Sequence, residues 1–228
     1  MKRKIRLVHQ IEITSRCNLK CKYCVHPTMK RPKVDMDLAT YKAALELVRI
    51  SVNEFGQREL NICGIGESTL HADFVEYARL AREAVGPAVT ILLSCNGIGI
   101  TEEFVSAVKP YRVLFYISMH RPEKAGPAIE ILKRHGMLCG VDANAAINAT
   151  DWAGQVKWFV SSPETKCFWV PDGRVFVDSE GNIRACCYDG DGKSVIGHVT
   201  DDNVFDLETS DYELCKTCHM NTNLNLAR

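Results

Sequence analysis

Three closely spaced cysteines are the residues whose types and spacing point most directly to chemistry. Cys17 and Cys21 have three residues between them, and Cys24 follows after two more. Three thiolates can each bind one iron of a four-iron four-sulfur cluster, which leaves the fourth iron without a protein ligand. A structural zinc site is the alternative, and it needs a fourth ligand, for which His26 is the nearest candidate. Spacing alone does not separate the two metals.

A second set of cysteines lies towards the C-terminal end of the chain: Cys167, Cys186 or its neighbour Cys187, Cys215 and Cys218. Four thiolates suffice for one fully ligated cluster. Because a fully ligated cluster has no iron open to substrate, the role we expect for it is electron transfer or structural support. Zinc is the alternative for these four ligands as well.

The overall charge excludes several classes of partner. Lys plus Arg and Asp plus Glu number 28 each, so no global field favours nucleic acid or an anionic membrane. The basic N-terminus is followed by a stretch that polar residues interrupt, which predicts neither a signal peptide nor a membrane span. We therefore expect a cytoplasmic protein whose eleven cysteines are not disulfide-bonded. One basic run is interpreted as a solvated loop or as a feature favouring an anionic substrate: Lys20, Lys22, Lys30, Arg31 and Lys33.

Apolar runs alternate with amphipathic stretches, which predicts βα units. The predicted strands cover residues 5–14, 59–63, 89–95, 112–118, 137–143 and 166–170. Predicted helices cover residues 102–108 and 124–135. Three more are predicted to start after a capping aspartate: Asp37, Asp73, which forms a capping box with Glu76, and Asp151. The last of these helices is expected to have Trp152, Val156 and Phe159 on one face. Six units in about 170 residues favour an α/β fold with a partial (β/α)6 TIM-type barrel, because a closed eightfold barrel usually needs roughly 250 residues.

The pattern changes near residue 171 to short strands, over 174–177, 182–186 and 195–199, which predicts a hairpin-based appendage. We therefore divide the chain into a barrel, residues 1–166, and a small C-terminal β-hairpin-plus-helix domain, residues 167–228. In the barrel, the loops at the C-terminal ends of the strands are expected to form the active site. These loops contain the first three cysteines and residues 64–67, 94–97 and 118–120.

The first cysteine motif, with Tyr23 directly before its third cysteine, resembles the signature of the radical S-adenosylmethionine (SAM) enzymes, and the resemblance extends over the whole chain. It implies that SAM chelates the open iron of a four-iron four-sulfur cluster. It also implies that one-electron reduction cleaves SAM to methionine and a 5'-deoxyadenosyl radical, which abstracts a hydrogen atom from substrate. A flavodoxin- or ferredoxin-type electron donor would then be a partner.

The resemblance also implies a set of SAM-binding residues at the strand ends. Gly64, Gly66 and Glu67 resemble the family motif that receives the SAM amino group, since glycines let a backbone approach a ligand and a carboxylate accepts from an ammonium. Polar residues at the next three strand ends are candidates for the ribose and carboxylate, and an aromatic is a candidate for the adenine: Ser94, Asn96, Ser118, Asn144 and Tyr23. The alternative is that these residues cap loops or pack.

The second cysteine set resembles the twitch domain of this superfamily, a shortened SPASM domain with one auxiliary cluster. Cys167, Gly181 and Cys186 match its opening, and Cys215 with Cys218 supply the remaining pair. The motif spacing favours Cys186 over its neighbour Cys187 as the ligand. The implied cofactors are thus SAM and two 4Fe-4S clusters, one that binds SAM and one auxiliary.

Two residues at strand ends are candidate catalytic groups. His120 can act as a general base. Cys95 can donate a hydrogen atom, as epimerases of the superfamily require, although packing is the simpler interpretation. Cys63 and Cys139 are interpreted as small apolar core residues.

One radical-generating cluster and one auxiliary cluster resemble the arrangement of the aminocyclitol dehydrogenases of this superfamily, which oxidise a secondary alcohol to a ketone. Deoxygenation of an aminoglycoside is a related possibility. Modification of a ribosomal peptide, by thioether formation, carbon-carbon crosslinking or epimerisation, is the second hypothesis, so the substrate is a small molecule or a peptide. An iron–sulfur or zinc module without enzymatic activity is the third.

Overall fold

The computed structural model describes residues 2–158, 167–218 and 220. The described strands are β1 Lys2–Lys4, β2 Leu7–Ile11, β3 Glu59–Asn61, β4 Thr90–Cys95, β5 Val113–Ser118, β6 Leu138–Asp142, β7 Arg174–Val177, β8 Asn182–Arg184, β9 Val195–His198 and β10 Glu208–Ser210. The α-helices are α1 Leu38–Phe55, α2 Phe74–Val85, α3 Glu102–Val108, α4 Pro122–His135 and α5 Trp169–Asp172. No helix in the described part of the chain is both long and apolar enough to cross a lipid bilayer.

Eight of these strands form one mixed sheet in the order β6-β5-β4-β3-β2-β7-β8-β9. Strands β2 to β6 pair in parallel, β7 pairs in parallel with β2, and β8 and β9 continue antiparallel. The α/β class with a parallel, barrel-like sheet is therefore confirmed. The strands of the predicted appendage, β7, β8 and β9, extend this sheet beyond β2.

The predicted strand over residues 166–170 is wrong in its described part, because Trp169–Asp172 is a short helix. Pro171 lacks the N–H that a strand would need for its ladder, but it is tolerated in the first turn of a helix. Gly173 ends the helix in the left-handed region, with φ at 65°. The sixth parallel strand is β7, and it pairs with β2 rather than extending the sheet beyond β6.

The predicted helix after Asp151 is also absent from the described residues, since residues 152–155 form a turn and no residue of 151–158 is helical. Trp152, Ala153 and Gly154 have φ values of 52°, 57° and 83°. Three consecutive residues in the left-handed region cannot belong to a right-handed helix. Phe159, which was predicted for the same helix face, lies outside the described residues.

Helices α1 to α4 cover one face of the sheet. Alternate strand residues such as Leu60, Leu93 and Phe115 are fully buried in the core against them. Since side chains alternate along a strand, the intervening residues point to the opposite face. We call this the inner face and define it by Asn61, Ser94, Tyr116, Ser118 and Gly140. The inner face opens towards the strand ends that carry the predicted site.

Two of the predicted helix caps, Asp37 and Asp73, lie at helices that the structure contains. Asp37 caps α1 and accepts hydrogen bonds from the Thr40 backbone N–H and hydroxyl, both at 2.9 Å. These bonds lower the pKa of the Asp37 carboxyl. Asp73 holds the matching position at α2, but its side chain makes no capping bond, so the predicted capping box does not form.

Replacing Asp37 by alanine should therefore lower the free energy of unfolding at neutral pH by about 1 kcal/mol. Because the folded-state pKa lies below the unfolded one, this contribution is present above the unfolded pKa and is lost as pH falls through the folded pKa. Urea unfolding at neutral and acidic pH measures both effects. Asp73→Ala is the control, expected to change stability by less than about 0.5 kcal/mol, and equal losses in the two variants would contradict the capping argument.

Candidate active site

The loops after the parallel strands enclose a cavity of about 270 Å³. Most of the predicted site residues line it: Cys17, Cys21, Tyr23, Cys24, Gly64, Gly66, Glu67, Ser94, Cys95, Asn96, Ser118 and His120. Asn144 is the predicted barrel residue that the structure does not bring to the cavity wall. The folded chain thus gathers residues from five strand ends around the three thiols.

The cysteine loop holds its thiols by short-range contacts. The Leu19 N–H donates to the Cys17 sulfur and the His26 N–H to the Cys24 sulfur, both at 3.4 Å. Burial, followed by the charges of Cys21 and Cys17, raises the pKa of the Cys24 thiol to about 11. The negative charges of the neighbouring thiolates thus disfavour ionisation of Cys24, and a cationic centre bound to the thiolates would offset this repulsion.

The Gly-Ile-Gly-Glu loop, residues 64–67, is fixed to the end of β2 by Glu12, which was not among the predicted site residues. The backbone N–H groups of Ile65 and Gly66 donate to Oε1 of Glu12 at 2.7 and 3.2 Å. A Cβ at Gly64 would overlap the Glu12 side chain, and one at Gly66 would overlap the Thr14 carbonyl. Glycine is therefore required at both positions, because Glu12 and Thr14 lie too close for any side chain there.

Glu12 is also paired with a buried arginine. Its Oε2 accepts from Nη2 of Arg31 at 2.6 Å and from the Ser179 N–H at 3.3 Å. Arg31 donates further to the Gly190 carbonyl at 3.0 Å. For Arg31, the interpretation as part of a solvated basic run is wrong, since only 4% of its side chain is exposed. The sequence signal was an acidic residue within an apolar strand.

Glu67 joins this loop to the end of β4. Its carboxylate accepts from the Asn96 N–H and the Thr69 hydroxyl, both at 2.7 Å. Burial raises the pKa of this carboxyl above its ordinary value. Asn96 in turn donates through its side chain to Asn18 in the cysteine loop at 2.7 Å. Hydrogen bonds therefore tie three loops together around the cavity.

Tyr23 and His120 meet across the cavity, with 2.9 Å between the tyrosine hydroxyl and Nδ1 of the histidine. Burial lowers the pKa of His120, so the neutral imidazole is favoured at neutral pH. The indole N–H of Trp152 donates to the Tyr23 carbonyl at 3.1 Å. His120 thus lines the cavity with its neutral form favoured.

Cys95 lines the cavity but belongs to the helix-facing core row of β4 and is only 4% exposed. Burial raises the pKa of its thiol well above the ordinary value. Ser94, its neighbour on the inner face, lines the same cavity.

The loop after β6 differs from the prediction in one residue. Asn144 is exposed, and its backbone N–H donates to Oδ1 of Asp142 at 3.1 Å. Asp142 and Asn148 line the cavity instead, and the Asn148 side chain donates to the same Oδ1 at 2.7 Å. The sequence analysis missed Asp142 because it placed that residue inside a strand rather than at the strand end.

Members of the second cysteine set lie near enough to one another to affect each other's ionisation. Burial, then the charges of Cys186, Cys167 and Cys215, raises the pKa of Cys218 to about 11. Cys186 behaves differently, because hydrogen bonds from the Cys187 thiol and the Tyr212 hydroxyl, among others, lower its pKa.

A short turn, residues 152–155, links the two cysteine sets. Its Trp152 ring packs edge-on against the Tyr188 ring, with 5.4 Å between centroids. Gln155 donates to the Tyr188 carbonyl at 2.7 Å, and the Thr217 hydroxyl donates to the Ala153 carbonyl at 2.5 Å. The left-handed residues therefore form a connector from the cysteine loop to the second set.

A partial parallel barrel with three thiols and a glycine-rich loop at its open end defines the class of SAM-cleaving iron–sulfur proteins. The Radical SAM superfamily profile matches residues 11–155, and the chain belongs to this superfamily. Its members use SAM and a four-iron four-sulfur cluster. In this chain, Cys17, Cys21 and Cys24 are the motif thiols that line the cavity. The predicted family and its enzymatic character are confirmed.

Three comparisons narrow the relationship. The chain is 22% identical over 237 residues, 92% of this chain and 91% of the relative, to an S-adenosyl-L-methionine-dependent 2-deoxy-scyllo-inosamine dehydrogenase of Niallia circulans. It is 31% identical over 111 residues to a tungsten-containing aldehyde ferredoxin oxidoreductase cofactor-modifying protein of Pyrococcus furiosus. The matched region is 48% of this chain and only 29% of that relative. The crystal structure of BtrN in complex with AdoMet and 2-DOIA superposes with a TM-score of 0.72 at 19% identity, covering 90% of this chain and 82% of BtrN. The chain is thus a radical SAM enzyme with a dehydrogenase among its relatives.

Proposed function

We propose that this protein oxidises a secondary alcohol of a small sugar- or cyclitol-like molecule to a ketone, with a second iron–sulfur cluster as electron acceptor. Two electrons leave the substrate, one with the abstracted hydrogen atom and one alone. When bound, the first cluster with SAM supplies the hydrogen-abstracting 5'-deoxyadenosyl radical, and the second cluster takes the remaining electron. The similarity to an inosamine dehydrogenase over nearly the whole chain carries this proposal, and the charge effects of Cys186 on Cys167, Cys215 and Cys218 support it.

The residues of the cavity divide the remaining work. The neutral imidazole of His120 takes the hydroxyl proton of the substrate. Glu67, whose carboxylate lines the cavity, accepts from the SAM amino group, and the Gly64 and Gly66 backbone lets SAM come close. Ser94, Ser118 and Asn96 bind the rest of the cofactor, and the Tyr23 ring contacts the adenine. Asn144 is left outside this assignment because it is exposed.

The second cysteine set is proposed to bind a 4Fe-4S cluster rather than zinc. Cys186 is the assigned ligand because the motif spacing favours it and because its charge acts on Cys167, Cys215 and Cys218. The connector formed by residues 152–155 contacts residues beside both proposed cluster sites, so it is the proposed route for electron transfer between the two clusters. The division into residues 1–166 and 167–228 belongs to the same proposal.

A flavodoxin- or ferredoxin-type protein is the proposed electron donor, and the cytoplasm is the proposed location because a reducing compartment keeps cysteines available for iron. Peptide modification and an electron-carrying module are the outcomes that the next experiment separates.

The test uses the full chain, reconstituted anaerobically with iron and sulfide, then supplied with dithionite, SAM and 2-deoxy-scyllo-inosamine. We expect about eight iron atoms per chain, four for each cluster, and 5'-deoxyadenosine together with the ketone. Cys218→Ala should retain 5'-deoxyadenosine formation while ketone formation falls by roughly tenfold or more. Cys139→Ala, an exposed cysteine outside both sets, is the matched control.

Three results would contradict the proposal. Zinc in the second site would remove the electron acceptor, and no 5'-deoxyadenosine above a Cys17→Ala protein would exclude radical chemistry. Turnover of a precursor peptide in place of the cyclitol would favour peptide modification.

A further inference from the structure

The basic run around the first cysteine set is a feature that the proposed chemistry does not use. Residues 15–34 contain six lysines and arginines but no aspartate or glutamate. Because basic and acidic residues are equal in number over the whole chain, the remainder of the protein is net acidic. Positive charge is therefore concentrated on the segment that carries the first three cysteines.

Side chains alternate along the cysteine loop between the cavity and the solvent. Four residues at odd-numbered positions are half-buried and line the cavity: Cys17, Leu19, Cys21 and Tyr23. The residues between them are exposed and do not line it: Asn18, Lys20 and Lys22. The interpretation of the basic run as a feature for an anionic substrate therefore has no support from these lysines, which lie on the outer side of the loop.

A third exposed lysine, Lys33, lies beside the start of this loop. Its two neighbours are hydrogen-bonded to Ser15, since the Ser15 hydroxyl donates to the Pro32 carbonyl at 3.1 Å and the Ser15 N–H to the Val34 carbonyl at 2.9 Å. We define the outer face of the cysteine loop by its three exposed lysines: Lys20, Lys22 and Lys33.

The charges of this outer face are not compensated within the protein. Arg16, at the edge of the face, pairs with Asp35 at 3.3 Å. In the part of the chain that the structure describes, no ion pair includes Lys20, Lys22 or Lys33. Three ammonium groups therefore remain for a partner of opposite charge.

The surroundings of the second cysteine set have the opposite charge. Residues 186–218, which contain Cys186, Cys215 and Cys218, include eight acidic residues and two basic ones. Asp189 and Asp211 are close enough for their charges to act on the thiols of this set. An acidic partner is therefore attracted to the first cysteine set and repelled from the second.

We infer that Lys20, Lys22 and Lys33 form the docking surface for an acidic electron-carrier protein, which reduces the first cluster through the cysteine loop. The reduced carrier loses one electron and the cluster gains it, and no atom is transferred. A carrier in contact with Lys20 or Lys22 is one residue away from Cys21, and consecutive Cα atoms are about 3.8 Å apart. This inference rests on the proposed function and names how its electron donor is recognised.

The extent of the basic surface favours a small protein over a membrane or a nucleic acid. Three lysines on one loop match a local acidic patch. An extended anionic surface would also meet the remainder of the protein, which is net acidic and would repel it.

The test uses the anaerobically reconstituted full chain with two acidic carriers as probes, a flavodoxin and a ferredoxin. Calorimetry with each oxidised carrier measures binding without turnover, and stopped-flow spectroscopy of each reduced carrier measures electron transfer. For at least one carrier, affinity and rate should both fall steeply as ionic strength rises from about 0.01 to about 1 M, because the Debye length falls from about 30 to about 3 Å.

Charge-reversal variants locate the surface. At an ionic strength of about 0.1 M, the double variant Lys20→Glu with Lys22→Glu should slow electron transfer from the carrier by about tenfold or more. Lys33→Glu, which lies outside the segment between the cysteines, should act in the same direction and serves if the double variant loads iron poorly. The matched control is Arg6→Glu with Arg58→Glu, at exposed positions before β2 and β3 at the opposite edge of the sheet. Its effect should stay below about twofold, because the Debye length is then about 10 Å.

Saturating dithionite, which needs no docking surface, separates this inference from the proposed function. With dithionite, the lysine variants should form 5'-deoxyadenosine at the wild-type rate. Equal effects of the lysine and arginine variants, or no binding of either carrier, overturn the inference. So does binding to vesicles of phosphatidylcholine and phosphatidylserine in place of the carriers. Carrier binding that the lysine variants lose, without ketone formation under any reductant, keeps the docking surface and removes the dehydrogenase.

Discussion

Replacing Glu12 by glutamine should lower the free energy of unfolding by about 3–5 kcal/mol, the usual result of removing one partner from a buried ion pair. The side chain is fully buried and accepts from four donors, three backbone N–H groups and the Arg31 guanidinium. A glutamine amide would present a donor of its own to these donors. Arg31 would also lose the charge that compensates it.

Glu12→Gln should also weaken SAM binding by about tenfold or more, because the Glu12 carboxylate positions the Gly-Ile-Gly-Glu loop through its bonds to the Ile65 and Gly66 N–H groups. Urea unfolding and calorimetric SAM titration of the reconstituted chain measure the two effects. Glu46→Gln is the matched control, since Glu46 pairs with Arg49 on the exposed surface of α1. Its loss should stay below about 1 kcal/mol, and a Glu12→Gln protein no less stable than this control would refute the argument.

Replacing Gly66 by alanine should also reduce both the stability of the protein and its affinity for SAM. The added Cβ would overlap the Thr14 carbonyl oxygen and lie 2.7 Å from that of Arg16. Both obstacles are backbone atoms, so no side-chain rotation relieves them. We expect a stability loss of about 1–3 kcal/mol and roughly a hundredfold weaker SAM binding, since small displacements at a ligand site have large effects.

Gly56→Ala provides the comparison for this variant. Gly56 ends α1 with φ at 70° and has no atom within 4 Å of an added Cβ. Alanine there should cost about 1 kcal/mol through backbone strain alone, with SAM affinity unchanged. If Gly66→Ala binds SAM as tightly as Gly56→Ala, the close-approach argument fails.

The parts of the fold that sequence predicted well are those decided locally. The α3 helix was predicted at residues 102–108 with the bounds that the structure has, and Asp37 does cap α1. The first three cysteines were found because ligand spacing is a local pattern. The residues beside them at strand ends followed from the rule that parallel strands bring their C-terminal ends together.

The parts that were missed depend on contacts between distant segments. Glu12 and Arg31 are each unremarkable by type, and only the fold shows them as a buried pair. The turn at Trp152 has helical periodicity in sequence, but its backbone is held in the left-handed region by partners such as Tyr23 and Thr217, which lie far away in the chain. Asp142 was misread because a strand boundary shifted by one residue changes which side chain reaches the cavity.

The connector of residues 152–155 also bears on how the protein matures. It touches the cysteine loop through Tyr23 and the second cysteine set through Tyr188 and Thr217. The conformational entropy lost when this segment becomes ordered would therefore be shared between the two proposed metal sites. Filling either site first lowers the entropic cost of filling the other. Assembly of the holoprotein should consequently be cooperative, with half-loaded chains scarce at equilibrium.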